Sequence, residues 1–229
     1  MRHEEEITTS EYEERRHAFK LCQWVDSKLK AMRVAGRFDE LYFEGSKNIK
    51  KLREEVIPLS RLGLYLSTPE SEVYVTCLAG NQNYDATIEI TGFNPRSFKV
   101  EVTTTETEHS TRRRQALSRY GHVALSGPIW KDSDGIHWEG DMVDVGAEEE
   151  ERTNLALDRL RAKIESEKYG EDTAILVYLT EYLPLSMYSR ARLVRQTQRY
   201  LVDNAFQPYA VFYCYGVGYV IDHVQPGQI

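Results

Sequence analysis

The strongest structural signal in this chain of 229 residues lies in residues 85–103, which read DATIEITGFNPRSFKVEVT. Apolar and polar residues alternate in 85–91 and again in 98–103, and a period of two is typical of β-strands with one apolar face. The Gly-Phe-Asn-Pro sequence at 92–95 is a turn signal. The segment therefore predicts two neighbouring strands, and the polar face of each carries a carboxylate, Asp85 on the first and Glu101 on the second.

The segments on either side extend this pair into a larger sheet. Residues 73–78 are rich in β-forming side chains, and the apolar run at 174–179 (AILVYL) is typical of a strand covered on both faces. A C-terminal β-hairpin is predicted from residues 210–215 and 219–221. Helices are predicted at 111–120, from the acidic residues 148–151 to about 169, and at 189–203, and a short hairpin at 130–138. This order predicts an α/β fold with a mixed central β-sheet flanked by helices.

The N-terminal part of the chain predicts helices. Within residues 10–32, apolar residues recur at spacings of three and four, the period of an amphipathic helix. A second helix is predicted over residues 45–57, and Pro58 forbids its uninterrupted continuation. We therefore expect an N-terminal helical extension over 1–44 and an α/β domain over 45–229, together one compact unit. The first helix is also a candidate for pairing with a second copy of the chain.

Composition excludes several classes of protein. Three distant cysteines, Cys22, Cys77 and Cys214, predict neither a disulfide framework nor a zinc site. A net charge of −7, from 29 basic and 36 acidic side chains, argues against a surface built throughout to coat nucleic acid. The acidic start MRHEEE is unlike a targeting signal, and no apolar run reaches the roughly 20 residues of a membrane-spanning helix. We therefore expect a cytoplasmic protein with no membrane segment.

Asp85 and Glu101 are the candidate metal ligands. They occupy corresponding polar-face positions of the two predicted strands, so pairing of the strands would bring the two carboxylates together. Oxygen ligands of this kind suit Mg²⁺ or Mn²⁺. Thr103 lies two residues after Glu101 and points the same way. Each acid alone also has an ordinary interpretation, Asp85 as a turn former and Glu101 as a solvated strand residue.

The order of these elements resembles the PD-(D/E)XK nuclease superfamily over residues 47–180, which implies a restriction-endonuclease-like core. The resemblance implies that Asp85, Glu101 and the carbonyl of Val102 hold Mg²⁺ or Mn²⁺. Thr103 stands where the motif has its lysine, and Tyr84 precedes Asp85 where the motif has proline. In some branches the lysine comes from the following helix, and here Lys163 and Lys168 are nearly equivalent by helical angle. Lys168 is preferred for its position near the helix end.

The superfamily also often carries a glutamate on the helix before the first core strand. At 100° per residue, Glu55 borders the buried face of the predicted helix and Glu54 points away. Glu55 is therefore a candidate for supporting a second metal ion.

A basic segment after the Glu101 strand is the candidate nucleic-acid contact. It contains Arg112, Arg113, Arg114 and Arg119, with Tyr120 beside them, and no acid between Ser110 and His122. Arginine pairs with phosphate and tyrosine stacks on bases. The same helix is equally suited to dock on the acidic stretch at 139–151, and acids at 148–151 are also typical of a helix start.

These observations leave two main hypotheses and a simpler third. The first is a metal-dependent phosphodiesterase acting on DNA or RNA. The alternative is a catalytically inactive, nuclease-like binding protein in phage–host conflict or genome defence, which would act on a protein partner through its acidic surface. The third is a structural domain that forms oligomers through its N-terminal helix.

Overall fold

The computed structural model describes residues 7–37, 46–80, 83–124, 127–140, 144–166, 168–169, 171–180, 185–204, 208–216 and 220–225. The strands in these ranges are β1 (Arg16–His17), β2 (Ser71–Cys77), β3 (Ala86–Gly92), β4 (Arg96–Thr104), β5 (Ile129–Lys131), β6 (Ile136–Trp138), β7 (Thr173–Leu179), β8 (Val211–Tyr215) and β9 (Ile221–Val224). The helices are α1 (Thr9–Tyr12), α2 (Ala18–Val34), α3 (Lys47–Lys51), α4 (Ile57–Leu66), α5 (Glu108–Tyr120), α6 (Val145–Glu165) and α7 (Met187–Asp203). A π-helical turn, Leu52–Val56, joins α3 to α4.

Within these residues a seven-stranded mixed sheet has the order β1-β2-β3-β4-β7-β8-β9, and β5 and β6 form a separate hairpin. The β4–β7 and β7–β8 pairs are parallel and the other pairs are antiparallel. Every residue of β7 is buried, as its apolar sequence predicts. Apolar cores lie on both faces of the sheet. The predicted α/β fold, with a mixed sheet flanked by helices and a C-terminal β8–β9 hairpin, is confirmed.

The register of β3 and β4 places the candidate acids opposite each other. Ala86 pairs with Val100 and Ile88 with Phe98, so Asp85, just before β3, faces Glu101. The Asp85 N–H donates to the Val100 carbonyl at 2.8 Å, which continues the pairing by one residue. The turn that fixes this register needs glycine at Gly92, where φ is +88° and an added Cβ would lie 2.4 Å from the Glu70 carbonyl oxygen.

The predicted helix over residues 10–32 is wrong at its start. The helix of that region is α2, which begins only at Ala18, because Arg16 and His17 are extended and pair with Val75 and Tyr74 of β2. Its buried residues (Ala18, Leu21, Val25 and Met32) belong to the same core as one face of the sheet. The described residues of the expected extension over 1–44 thus share the core of the sheet. The apolar stripe that suggested pairing with another chain is buried within this one.

The expected end of the second helix at Ile57 is also wrong, although the helix does not continue without interruption. Helical structure continues to Leu66, because the π-helical turn comes directly before the proline. The Ile57 N–H bonds to the Leu52 carbonyl five residues back, and Pro58 then lies in the first turn of α4, where no N–H is required. No helix in the described ranges is long and apolar enough to cross a membrane.

Candidate functional site

A cleft of about 300 Å³ opens where β4 continues past the start of β3. Its lining includes acidic residues from the π-helical turn, from the start of β3, from β4 and from the loop after β4. The lining residues are Glu54, Glu55, Asp85, Glu101, Val102, Thr103, Thr104, Glu106 and Arg159. The structure therefore brings together five residues that the sequence singled out: Glu55, Asp85, Glu101, Val102 and Thr103.

The Asp85 carboxylate is fixed by the backbone of β4. Its Oδ2 atom accepts the Val102 N–H at 2.8 Å. The Val100 carbonyl accepts the Asp85 N–H in the same way. In an antiparallel pair the backbone N–H and C=O groups of alternate residues point to the same neighbouring strand, so those of Val100 and Val102 both point towards the β3 side. The Val102 carbonyl therefore lies on the same side as Asp85, beyond the last residue that β3 pairs. This is the backbone oxygen that the sequence resemblance implied as a ligand.

Glu101 is held by a lysine and a tyrosine from the far end of α6 and the loop after it. The Lys163 ammonium pairs with Glu101 Oε1. The Tyr169 hydroxyl donates to the same oxygen at 3.0 Å and lies 3.3 Å from Lys163 Nζ. Burial acts to lower the pKa of Lys163, but the hydrogen bond and charge of Glu101 outweigh it, so the pKa is raised and the side chain stays cationic.

The preference for Lys168 is therefore corrected in favour of Lys163. The helix ends at Glu165, so the helical angle that made the two lysines equivalent does not extend to Lys168, which is exposed. The buried residue that follows it, Tyr169, reaches Glu101 instead. No part of the sequence reasoning selected Tyr169, although its place just before an apolar central strand was a usable signal.

The π-helical turn presents two glutamates to the cleft. Glu55 pairs with Lys51, and Glu54 pairs with Arg53. Burial raises the pKa of Glu55, and the Lys51 charge offsets part of this effect. The prediction that Glu54 points away is wrong, because a π-helical turn does not keep the 100° step on which the prediction rested.

Asp85 differs from its neighbours in the cleft because no cation pairs with it among the described residues. Burial, followed by the negative charges of Glu55 and Glu101, raises the pKa of Asp85 to about 7. The Val102 N–H and Lys51 act in the opposite direction without cancelling the shift. The cleft thus concentrates negative charge that its own lysines and arginines do not fully neutralise, and binding of a cation would relieve it.

The donor set fits a hard divalent cation. One oxygen of each central carboxylate is used inside the protein, and the other oxygens, Asp85 Oδ1 and Glu101 Oε2, have no hydrogen-bond partner among the described residues. No three His, Cys, Asp or Glu side chains in those parts of the chain form a ready metal cluster. Mg²⁺ commonly binds one or two carboxylates and completes its shell with water and substrate phosphates, which matches this set of two carboxylates and one carbonyl.

The basic helix α5 is only partly available to a ligand. Arg114 is buried, at 4% exposure, and pairs with Glu106, so its predicted contact with nucleic acid is withdrawn. Arg112 and Arg113 donate to the carbonyls of Ile129 and Gly127, which attaches α5 to the β5–β6 hairpin. The exposed end of the helix carries Arg119 and Tyr120, whose contact with nucleic acid stays a prediction.

The acidic stretch faces α5 across a cavity that Glu148 and Glu151 line together with Arg113 and Arg114, whereas two of its other acids have partners elsewhere. Glu149 accepts the Ser186 N–H at 2.9 Å, and Glu150 pairs with Arg192 of α7 at 2.8 Å. Residues 141–143 of the stretch lie outside the described ranges. Asp144 accepts the N–H groups of Gly146 and Ala147, so acids here begin α6, as their ordinary interpretation predicted.

Glu106 was not predicted from the sequence, and it lines the cleft and pairs with both Arg53 and Arg114. Its only sequence signal was its position shortly after the Glu101 strand. Comparisons of the chain with protein-family models, with curated proteins and with solved structures found no match.

Proposed function

We propose that this protein is a metal-dependent phosphodiesterase that cleaves DNA or RNA. The observation that carries the proposal is the arrangement at Glu101, whose carboxylate lies opposite Asp85 and is held by a lysine from a distant helix. The order of elements and the pair Asp85 and Glu101 resemble the PD-(D/E)XK nuclease superfamily. Lys163 would supply the cation that Thr103 does not, and its pairing with Glu101 supports the proposal despite the departure at position 103.

Asp85, Glu101 and the Val102 carbonyl would hold Mg²⁺ or Mn²⁺. Such an ion neutralises charge on a phosphate and makes a nearby water more acidic. Val102 fixes Asp85 through its N–H, and Tyr169 fixes Glu101 through its hydroxyl. Lys163, adjacent to Glu101, is placed to donate a hydrogen bond to the phosphate or to the attacking water. Glu55 lies at the same cleft and could support a second ion.

The test is incubation of single- and double-stranded DNA and RNA with the protein in Mg²⁺ or Mn²⁺. We expect cleavage that EDTA abolishes and that Asp85→Asn or Glu101→Gln reduces at least about 1000-fold, since several kcal/mol of charge stabilisation would be lost. Glu150→Gln, on the exposed start of α6, is the matched control and should cleave normally.

Cleavage that survives Asp85→Asn would overturn the assignment of this site. If the protein cleaves no nucleic acid under any of these conditions, the catalytically inactive binding protein becomes the better hypothesis. The acidic surface, rather than the cleft, would then be the region to examine for a protein partner.

A further inference from the structure

The β5–β6 hairpin carries aromatic side chains that are partly exposed among the described residues. Its inner face packs Ile129 and Ile136 against Ala116 of α5. The opposite face carries Trp130 and His137, which are register partners with rings stacked at 5.8 Å and 21°. Trp130 is 39% exposed. His137 is also partly exposed, and its Nε2 lies 2.9 Å from Asp132 Oδ1, which fixes the imidazole beside the indole.

A second group of rings lies at the end of α5, on the inner side of the hairpin, because Trp138 pairs with Ile129 and packs against the same cluster. Tyr120 is 37% exposed, and its ring lies 5.6 Å from that of Trp138. The Arg119 guanidinium lies 5.5 Å from the Tyr120 ring, and His122 packs edge-on against Trp138 at 5.5 Å. Rings accompanied by a guanidinium are the usual composition of a surface that stacks nucleic-acid bases.

The hairpin and the cleft lie along one helix. Glu106 lines the cleft and Thr107 caps the start of α5, whereas Tyr120 ends the helix beside Trp138. The 13 residues of α5 span about 20 Å at 1.5 Å per residue. At about 3.4 Å per nucleotide along a stacked strand, about six nucleotides would reach from the cleft to the far end of the helix.

We infer that the exposed, stacked pair of Trp130 and His137 binds unpaired bases, which makes the substrate class a single-stranded or locally unpaired nucleic acid. The inference rests on the proposed function, because it assigns the substrate of the same cleft. Aromatic rings stack on the faces of bases, and these faces are accessible only where the strand is unpaired. A duplex would present phosphates to this surface, and α5 offers few free guanidinium groups for them.

The experiment measures binding without cleavage. Asp85→Asn protein in EDTA is titrated into a fluorescently labelled 12-nucleotide strand, as DNA and as RNA, and into the corresponding duplexes. We expect tighter binding of a single strand than of its duplex. Trp130→Ala should weaken single-strand binding about 10-fold, as expected for the loss of one stacking platform. Trp130→Phe, which keeps a ring, should restore most of the affinity.

Phe93→Ala is the matched control, because Phe93 is an aromatic residue 75% exposed at the β3–β4 turn. It should leave the affinity unchanged. Preferential binding of duplex, or equal affinities of the Trp130→Ala and Phe93→Ala proteins, would overturn the inference. Binding that persists while the wild-type protein cleaves nothing would refute the proposed catalysis but not the surface. Undiminished cleavage of single strands by Trp130→Ala would refute the surface but not the catalysis.

Discussion

Two regions of the molecule are rich in acids, and their structures differ. At the start of α6 the acids are consecutive in sequence, at residues 148–151, and they lie at the surface. Glu149 and Glu150 have partners on or just before α7, namely Ser186 and Arg192. In the cleft the acids come from separate elements, and Asp85 and Glu101 meet through the register of two strands.

The electrostatic outcomes of the two regions are opposite. Burial acts to raise the pKa of Glu149, but hydrogen bonds from Ser186 and Ser189 outweigh it and lower the pKa. Burial also raises the pKa of Asp85, and there the charges of Glu55 and Glu101 add to it, to about 7. A dense acidic run in the sequence thus forms an ordinary helix start. Acids that converge from distant segments without enough cations form the candidate site.

The largest effect that separates the two regions is expected at Lys163. Lys163→Ala should reduce cleavage about 100-fold, the lower range for loss of a positioned proton donor. Lys168→Ala removes the same charge from an exposed position five residues later and should stay within about 2-fold of wild type. Single-turnover cleavage rates measure both variants. Equal losses in the two would contradict the placement of Lys163 at Glu101.

The next prediction concerns the free energy of unfolding. Most substitutions lower it, whereas Asp85→Asn is expected to raise it. The pKa of Asp85 rises from an ordinary value of 3.8 to about 7 on folding. Between these values the folded state binds more protons than the unfolded state, so the free energy of unfolding falls as pH rises. Asp85→Asn should therefore stabilise the metal-free protein at pH 8 by about 1–3 kcal/mol, and by progressively less towards pH 4.

Urea unfolding in EDTA at the two pH values provides the measurement. The asparagine can still accept the Val102 N–H, so the variant changes the charge and little else. Destabilisation at pH 8 would show that the cleft already neutralises Asp85.

A smaller effect is expected from Tyr169, which acts on the cation only through Glu101. Tyr169→Phe removes one hydrogen bond of about 0.5–1.5 kcal/mol and should weaken Mn²⁺ binding about 3- to 10-fold. The measurement is Mn²⁺ affinity by calorimetry beside thermal unfolding. A changed melting temperature with an unchanged affinity would mean that Tyr169 only fills the core.

The smallest effect is expected at the start of α6. The folded-state pKa of Glu149 lies below its ordinary value of 4.5, so its contribution to stability is present above pH 4.5 and is lost as pH falls through the folded value. Glu149→Gln should lower the free energy of unfolding at pH 7 by less than about 1 kcal/mol, because solvent screens these contacts. Chemical unfolding at pH 7 and pH 3 tests this, and cleavage should not change. Loss of cleavage would remove the distinction between the two acidic regions.

Local patterns in the sequence were enough to predict that Asp85 and Glu101 lie opposite each other on neighbouring strands. The alternation of apolar and polar residues shows which side chains share a face of β3 and of β4. The turn between the two strands sets a register in which Asp85 lies opposite Glu101. The buried strand β7 was equally evident from its apolar run. These features depend on neighbours in the chain, which is why the residues alone predicted them.

The rest of the site depends on long-range contacts and on irregular helices. The position of Glu54 follows from a π-helical turn that regular helical geometry does not anticipate. The choice of Lys163 over Lys168 follows from where α6 ends. Arg114 looked like part of a basic surface, but its pairing with Glu106 buries it. The spacing of residues along the sequence does not by itself predict any of these three outcomes.

The most direct test of the account is Mn²⁺ binding by isothermal titration calorimetry at pH 7.5, in the absence of nucleic acid. Wild-type protein should bind the ion, and both Asp85→Asn and Glu101→Gln should weaken binding at least about 100-fold, since each removes a proposed ligand. Glu150→Gln, the control from α6, should bind as wild type does. Absence of binding in the wild-type protein, or equal affinity in the Asp85→Asn variant, would contradict the claim that this cleft is a metal centre.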